Sequence, residues 1–144
     1  MVPYSLCMKS FVEPLALKTL YQEYDMGLVA SFSLFGGILS GKYNSPEAAS
    51  RRFSKDKIEI LRSMGTFEKV DQLIAIAKEL GCKPPQLAYA FALANPQVSS
   101  VLFGATSVQQ IKDNIQALDV VKKLDDKLLG KLKSLFPEDV RLGR

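Results

Sequence analysis

"VLFGATSVQQIKDN", residues 101–114, changes its hydrophobic period halfway along. Val98, Val101, Leu102 and Phe103 are strand-type residues around Ser99 and Ser100. Beyond the turn, Ile111, Ile115 and Leu118 recur at spacings of four and three, which predicts an amphipathic helix. Between the two lies Gly104-Ala105-Thr106-Ser107. A plain strand-to-helix connection needs only an N-cap, which Thr106 or Ser107 can supply. This turn carries more: Gln110, Asp113 and Asn114 stand three and four residues apart and share one helix face. The unpaired amides at a helix N-terminus carry partial positive charge and favour an anion. Taken alone, the pattern reads as a capped helix with ordinary polar exposure.

The strand-then-helix order repeats upstream. "VPYSL" (residues 2–6) is strand-like and leads to a helical pattern over 13–24, with Leu15, Leu17 and Leu20 inward, Pro14 in the first turn and Gly27 closing it. "GLVASFSLF" (27–35) has no charge, as expected of a strand buried on both faces. Residues 36–57 mix turn residues, hydroxyls and cations, and predict short helical pieces in an irregular segment. Phe67, Val70, Leu73, Ile74, Ala77 and Leu80 predict a helix over 66–80, closed by Gly81. Pro84-Pro85 and Pro96 bracket the next, and helices follow over 107–118 and 125–136. Three strands separated by helices imply right-handed parallel βαβ units. Such a sheet needs both faces covered or closure into a barrel. Three strands cannot close one, and a whole (β/α)8 barrel takes about 250 residues. The predicted fold is α/β, a partial (β/α)8 TIM barrel. Residues 1–144 contain no repeat or linker and read as a single segment of it.

Composition narrows the chemistry. The chain is 47% hydrophobic and 24% charged, an ordinary globular balance. No apolar run approaches ~20 residues, so no membrane span is expected. With no histidine and two cysteines, Cys7 and Cys82, neither a zinc centre nor a histidine-based triad is expected. The same cysteine usage fits a reducing, cytoplasmic setting. A net charge of +4 suits an anionic ligand, but no nucleic-acid docking motif is present. The lysines at 122, 123, 127, 131 and 133 alternate with leucines as on the solvated face of a helix.

"SFSLFGGILSGKY" (31–43) and "VSSVLFGATSVQQIKDNI" (98–115), at this separation, resemble the carboxy-terminal cofactor segments of the aldo-keto reductases, nearest the branch containing the potassium-channel beta subunits. "MVPYSL" is similar to the sixth barrel strand of that family, so the resemblance covers strands six to eight, from Val2 to Leu124. It implies an extended NADP(H) held by loops at the carboxy ends of those strands. Gly104 would admit the adenosine end, Thr106 would meet the 2′-phosphate, Gln110 the adenosine phosphate region, and Asp113 and Asn114 the adenine edge. Ser33, Leu34, Phe35 and Gly36 would wrap the pyrophosphate, continued by Ser40, Gly41 and Lys42. Lys42 would supply a point charge, and Arg51 or Arg52 a bidentate grip, with the family pattern pointing to Arg52.

The departures fall at the nicotinamide end. Relatives read aromatic-Ser-Pro-Leu where this chain has Ser31-Phe32-Ser33-Leu34, so the ring that stacks on nicotinamide is missing at Ser31. Met1 stands where relatives often carry a carboxamide-binding glutamine. The family's acid tyrosine and its lysine, aspartate and histidine partners come from the first half of the barrel, and Tyr4, Tyr21, Tyr24, Tyr43 and Tyr89 do not match that position. No catalytic residue and no metal ligand is assigned. Two functions are expected to compete: an NADP(H)-binding segment whose hydride chemistry belongs to a complete barrel, and a non-enzymatic interaction or regulatory module retaining barrel-type units. Either one leaves outer strand edges that invite self-association or a chain supplying the missing barrel half.

Overall fold

The structure, a computed structural model, describes residues 1–45 and 52–141. Its sheet has three parallel strands in the order β1 (Val2–Pro3), β2 (Leu28–Ser31) and β3 (Val98–Val101). Val2 stands opposite Ala30, and Ala30 opposite Val101, with an irregularity between Leu28 and Val29. Helix α1 (Leu15–Glu23) crosses from β1 to β2. Helices α2 (Lys55–Ser63), α3 (Thr66–Glu79) and α4 (Pro84–Leu93) lie between β2 and β3. After β3 come α5 (Val108–Ile115), α6 (Ala117–Val121) and α7 (Asp126–Leu135). This is the parallel βαβ order of a partial (β/α) barrel.

The strands are shorter than their apolar runs. β2 ends at Ser31 because Phe32 turns the chain at φ 58°, and a 3-10 turn follows over Phe35–Ser40. β2 alternates buried and half-buried residues, while Ser99 and Ser100 of β3 are exposed, so burial on both faces does not extend across the sheet. Pro14 sits just before α1, and Leu15 and Leu20 are exposed instead of inward. The left-handed residue beyond α1 is Asp25, at φ 49°. Gly27 serves a different purpose: a Cβ there would lie 2.1 Å from Ser99 Oγ, so its bareness lets the entry to β2 run close beside β3. The helix expected over 107–118 divides at Gln116 into α5 and α6.

The core joins Leu28 and Ala30 of β2 to Leu73 and Ala77 of α3, Leu87 and Phe91 of α4, and Leu132 of α7. Burying a leucine or phenylalanine side chain fully stabilises by about 1.5–3 kcal/mol, so this set dominates the packing. The C-terminal segment is tied beneath it. Val140 N donates to Cys7 O at 2.8 Å, and Lys9 Nζ donates to Leu6 O at 2.9 Å and to Phe136 O. The opposite flank is open. α5 buries no residue, and Val108, Ile111 and Ile115, with Leu118 of α6 and Leu102 and Phe103 after β3, are exposed.

Candidate functional site

A cavity of about 420 Å³ opens where the chain leaves the carboxy ends of β2 and β3. Its first wall is the turn after β2. Phe32 and Phe35 adopt φ of 58° and 48°, conformations a bulky side chain rarely takes, and Gly36 and Gly37 follow at 64° and 96°. The glycines answer close contacts as well as backbone angles. A Cβ on Gly36 would meet the Phe53 ring at 2.5 Å, and one on Gly37 would meet Lys42 Cε at 3.0 Å. The Phe35 ring locks the turn from beneath, 5.4 Å from Phe32 and 6.1 Å from Phe53 between centroids. Ser40 Oγ donates to Gly37 O at 2.6 Å, and Lys42 Nζ lies 4.7 Å from the Tyr43 ring centroid.

The second wall is the loop into α5. Ser107 is the N-cap, its hydroxyl accepting from Gln110 N at 3.2 Å. Thr106 N donates to Gln110 Oε1 at 2.8 Å, which folds the loop back onto the first turn. Because α5 has no apolar anchor, polar bonds hold it in place. Gln86, buried on α4, donates through Nε2 to Asp113 O at 2.9 Å and Gln116 Oε1 at 2.8 Å, while its Oε1 accepts from Lys83 N at 2.7 Å. Pro85 and Tyr89 of α4 complete the lining. Burial raises the Tyr89 phenol to about 12 against the opposing charge of Arg52, so the group stays a neutral donor at physiological pH.

Ten predicted residues line this one cavity: Ser33, Leu34, Gly36, Ser40, Lys42, Arg52, Gly104, Thr106, Gln110 and Asn114. Two do not. Phe35 is a core ring, 1% exposed. Asp113 is held outside the lining by Lys83 Nζ at 2.6 Å and Gln109 Nε2 at 3.0 Å; those hydrogen bonds, Lys83 first, keep its carboxyl below the usual range. Arg51 lies outside the described residues. A Cβ at Gly104 would meet no atom within 4 Å, so nothing inside the chain demands glycine there. Phe32, Gly37, Tyr43, Pro85, Tyr89, Leu102 and Ala105 also line the cavity. Of these, Pro85 and Tyr89 had a readable signal: they stand four apart on one face of an apolar helix, one of them with a polar tip.

Both charged side chains of the described lining are cations. Lys42 and Arg52 line the cavity, and no carboxylate is among its described lining residues. Ser33 Oγ is buried in the wall without a hydrogen-bond partner. Two cations, a glycine turn and the N-terminus of α5 can together accommodate an anionic group. Where a stacking ring is missing, Ser31 Oγ instead donates to Val2 O at 3.2 Å, and Met1 is 82% exposed. A second cavity of about 330 Å³, beside Asn95, Pro96 and Gln97 at the entry to β3, contains none of the predicted residues. Among the described residues there is no group of three metal-capable side chains, and no helix is long and apolar enough to cross a membrane.

The aldo/keto reductase family profile matches residues 1–136. A probable voltage-gated potassium channel subunit beta of Oryza sativa subsp. japonica is 39% identical over 123 residues, covering 81% of this chain. Its counterpart from Arabidopsis thaliana is 37% identical over 122 residues, again 81% of this chain. The chain spans 37% of the length of each of these relatives.

Proposed function

Because the chain belongs to the aldo/keto reductase family, we propose that its cleft binds NADP(H), holding the adenosine and pyrophosphate portions. The observation that carries this reading is the convergence of Lys42 and Arg52 on one cavity with no described carboxylate in its lining. Lys42 supplies a point charge across the bare Gly37, and Arg52 a planar fork suited to two phosphate oxygens. Thr106 and Gln110, prefolded against each other at the start of α5, take the 2′-phosphate end, and Asn114 the adenine edge. Bound NADPH supplies hydride. The residues here bind and orient it, and reduction of an aldehyde or ketone belongs to a complete barrel carrying the family's acid tyrosine.

Residues 1–144 serve, on this reading, as strands six to eight of that barrel. The open flank of β3 and α5 supports completion by another chain or a second copy, since exposed strand edges and apolar faces favour pairing. The same flank is what favours the second reading, an interaction module without enzymatic activity. The free thiols of Cys7 and Cys82 are compatible with a reducing, cytoplasmic setting.

The test is a titration of the purified chain with NADPH, read through its tyrosines because the chain has no tryptophan. Saturable quenching reversed by adenosine 2′,5′-bisphosphate supports the nucleotide reading. A folded chain that shows none favours the interaction module.

A further inference from the structure

We infer that Lys83 and Gln86, at the start of α4, are positioning residues for the adenosine end of the cleft, although neither lines it. This rests on the nucleotide reading above and adds to it the part of the fold that sets α5 against the ligand. Gln110 and Asn114 line the cleft from α5, a helix that buries no side chain and contributes none to the core. Among the described residues, the hydrogen bonds from α4 to α5 meet at one residue, Asp113. Lys83 Nζ donates to its carboxylate at 2.6 Å, and Gln86 Nε2 donates to its carbonyl at 2.9 Å. Gln86 is itself fixed. It is 3% exposed, its Oε1 accepts from Lys83 N at 2.7 Å, and its Nε2 also donates to Gln116 Oε1 at 2.8 Å.

The two walls of the cleft are therefore held by different forces. The turn after β2 is set by the Phe35 ring packed in the core and by Gly36, where a Cβ would meet Phe53 at 2.5 Å. Helix α5 has the polar grip on Asp113 in place of packing. Asn114 follows Asp113 directly and Gln110 lies one turn before it, so rotation of α5 about its axis carries both away from the cleft together. With no buried side chain, the helix has little tertiary packing to resist that rotation. Order supplied by the clamp before binding need not be supplied by the ligand, and such pre-organisation is read out as affinity. Releasing Asp113 therefore weakens ligands that reach α5 and spares a ligand confined to the turn after β2.

The experiment titrates the intact chain, Gln86→Met and Gln116→Ala by calorimetry with adenosine 2′,5′-bisphosphate, NADPH and inorganic pyrophosphate. Methionine keeps the length of Gln86 and removes its hydrogen bonds, whereas Gln116→Ala removes one partner and leaves the bond to Asp113 in place. Expected for Gln86→Met are affinities about fivefold lower for the bisphosphate and NADPH, with pyrophosphate unchanged. Gln116→Ala should match the natural sequence for all three. Undiminished bisphosphate affinity in Gln86→Met overturns the inference and leaves the nucleotide reading standing. Equal losses for all three ligands also overturn it, by making Gln86 a general support of the fold, as does an equally large loss in Gln116→Ala. If Gln86→Met does not fold, Lys83→Met decides, since that side chain is 59% exposed. A fall in the ratio of bisphosphate to pyrophosphate affinity then upholds the clamp, and an unchanged ratio overturns it. A natural sequence that binds neither adenosine compound overturns the inference together with the nucleotide reading.

Discussion

Lys83 Nζ lies 2.6 Å from Asp113 Oδ2, and this contact keeps the carboxylate expected at the adenine edge out of the cleft lining. Lys83 thus offsets a carboxylate next to the cleft-lining Asn114, which on the nucleotide reading faces the adenine edge. Lys83→Ala should let the Asp113 carboxyl rise toward its ordinary value, as followed by NMR titration. The native value is depressed, so the pair's stabilisation is present above about 3.8 and fades as pH falls below it. An unshifted Asp113 titration in the variant would show that Lys83 does not hold it.

Gln86 is expected to matter more than its uncharged amide suggests. It ties α4 to Asp113 O and Gln116 Oε1, and α5 has no buried side chain to replace those bonds. Gln86→Leu should destabilise the chain by about 1 kcal/mol, the net loss of hydrogen bonds whose partners are only partly buried. Amide exchange should accelerate in α5 while α3, packed through Val70, Leu73 and Ala77, stays protected. Uniform acceleration in both helices would mean that Gln86 is a global core residue and not the anchor of α5.

Acid should loosen the C-terminal segment first. Asp139 is partly buried, which opposes ionisation, but the backbone amides of Lys9 and Ser10 donate to its carboxylate at 2.7 and 3.2 Å and carry its pKa below the ordinary value. The resulting stabilisation is complete above about 3.8 and is lost as pH falls from there toward the native value. Thermal melts across this range should show a steeper acid decline for the natural sequence than for Asp139→Asn. Superimposable acid limbs would remove Asp139 from the account.

The exposed face of α5 should govern assembly. Ile111 and Ile115 are 43% and 52% exposed, so Ile111→Lys with Ile115→Lys removes apolar surface without opening the core. Light scattering at micromolar concentration should find the natural sequence associated and the double variant shifted toward monomer. A natural sequence that is already a sharp monomer would contradict the open-edge argument.

Local periodicity made the interior legible and left the flanks obscure. Val70, Leu73 and Ala77 obey the helical spacing and point inward, because α4 and the turn after β2 pack against that face. Leu15 and Leu20 obey a similar spacing yet are exposed, because no described element covers their side of α1. The cleft was readable wherever turn residues announced it, at Gly36 and at Thr106. It was unreadable where a distant partner decides orientation, as Lys83 does for Asp113 across thirty positions. The end of β2 was hidden for a related reason: Phe32 reads as a strand residue, and only the demands of the following glycine turn place it at positive φ.

Whether this cleft takes the phosphates of NADP(H) is decided by calorimetric titration of the 144-residue chain with NADPH and with NADH. Expected are a single saturable site for NADPH, weaker binding of NADH, a loss in Thr106→Ala that is larger for NADPH than for NADH, and a loss in Arg52→Ala for both nucleotides. A folded chain that takes up neither nucleotide would contradict it.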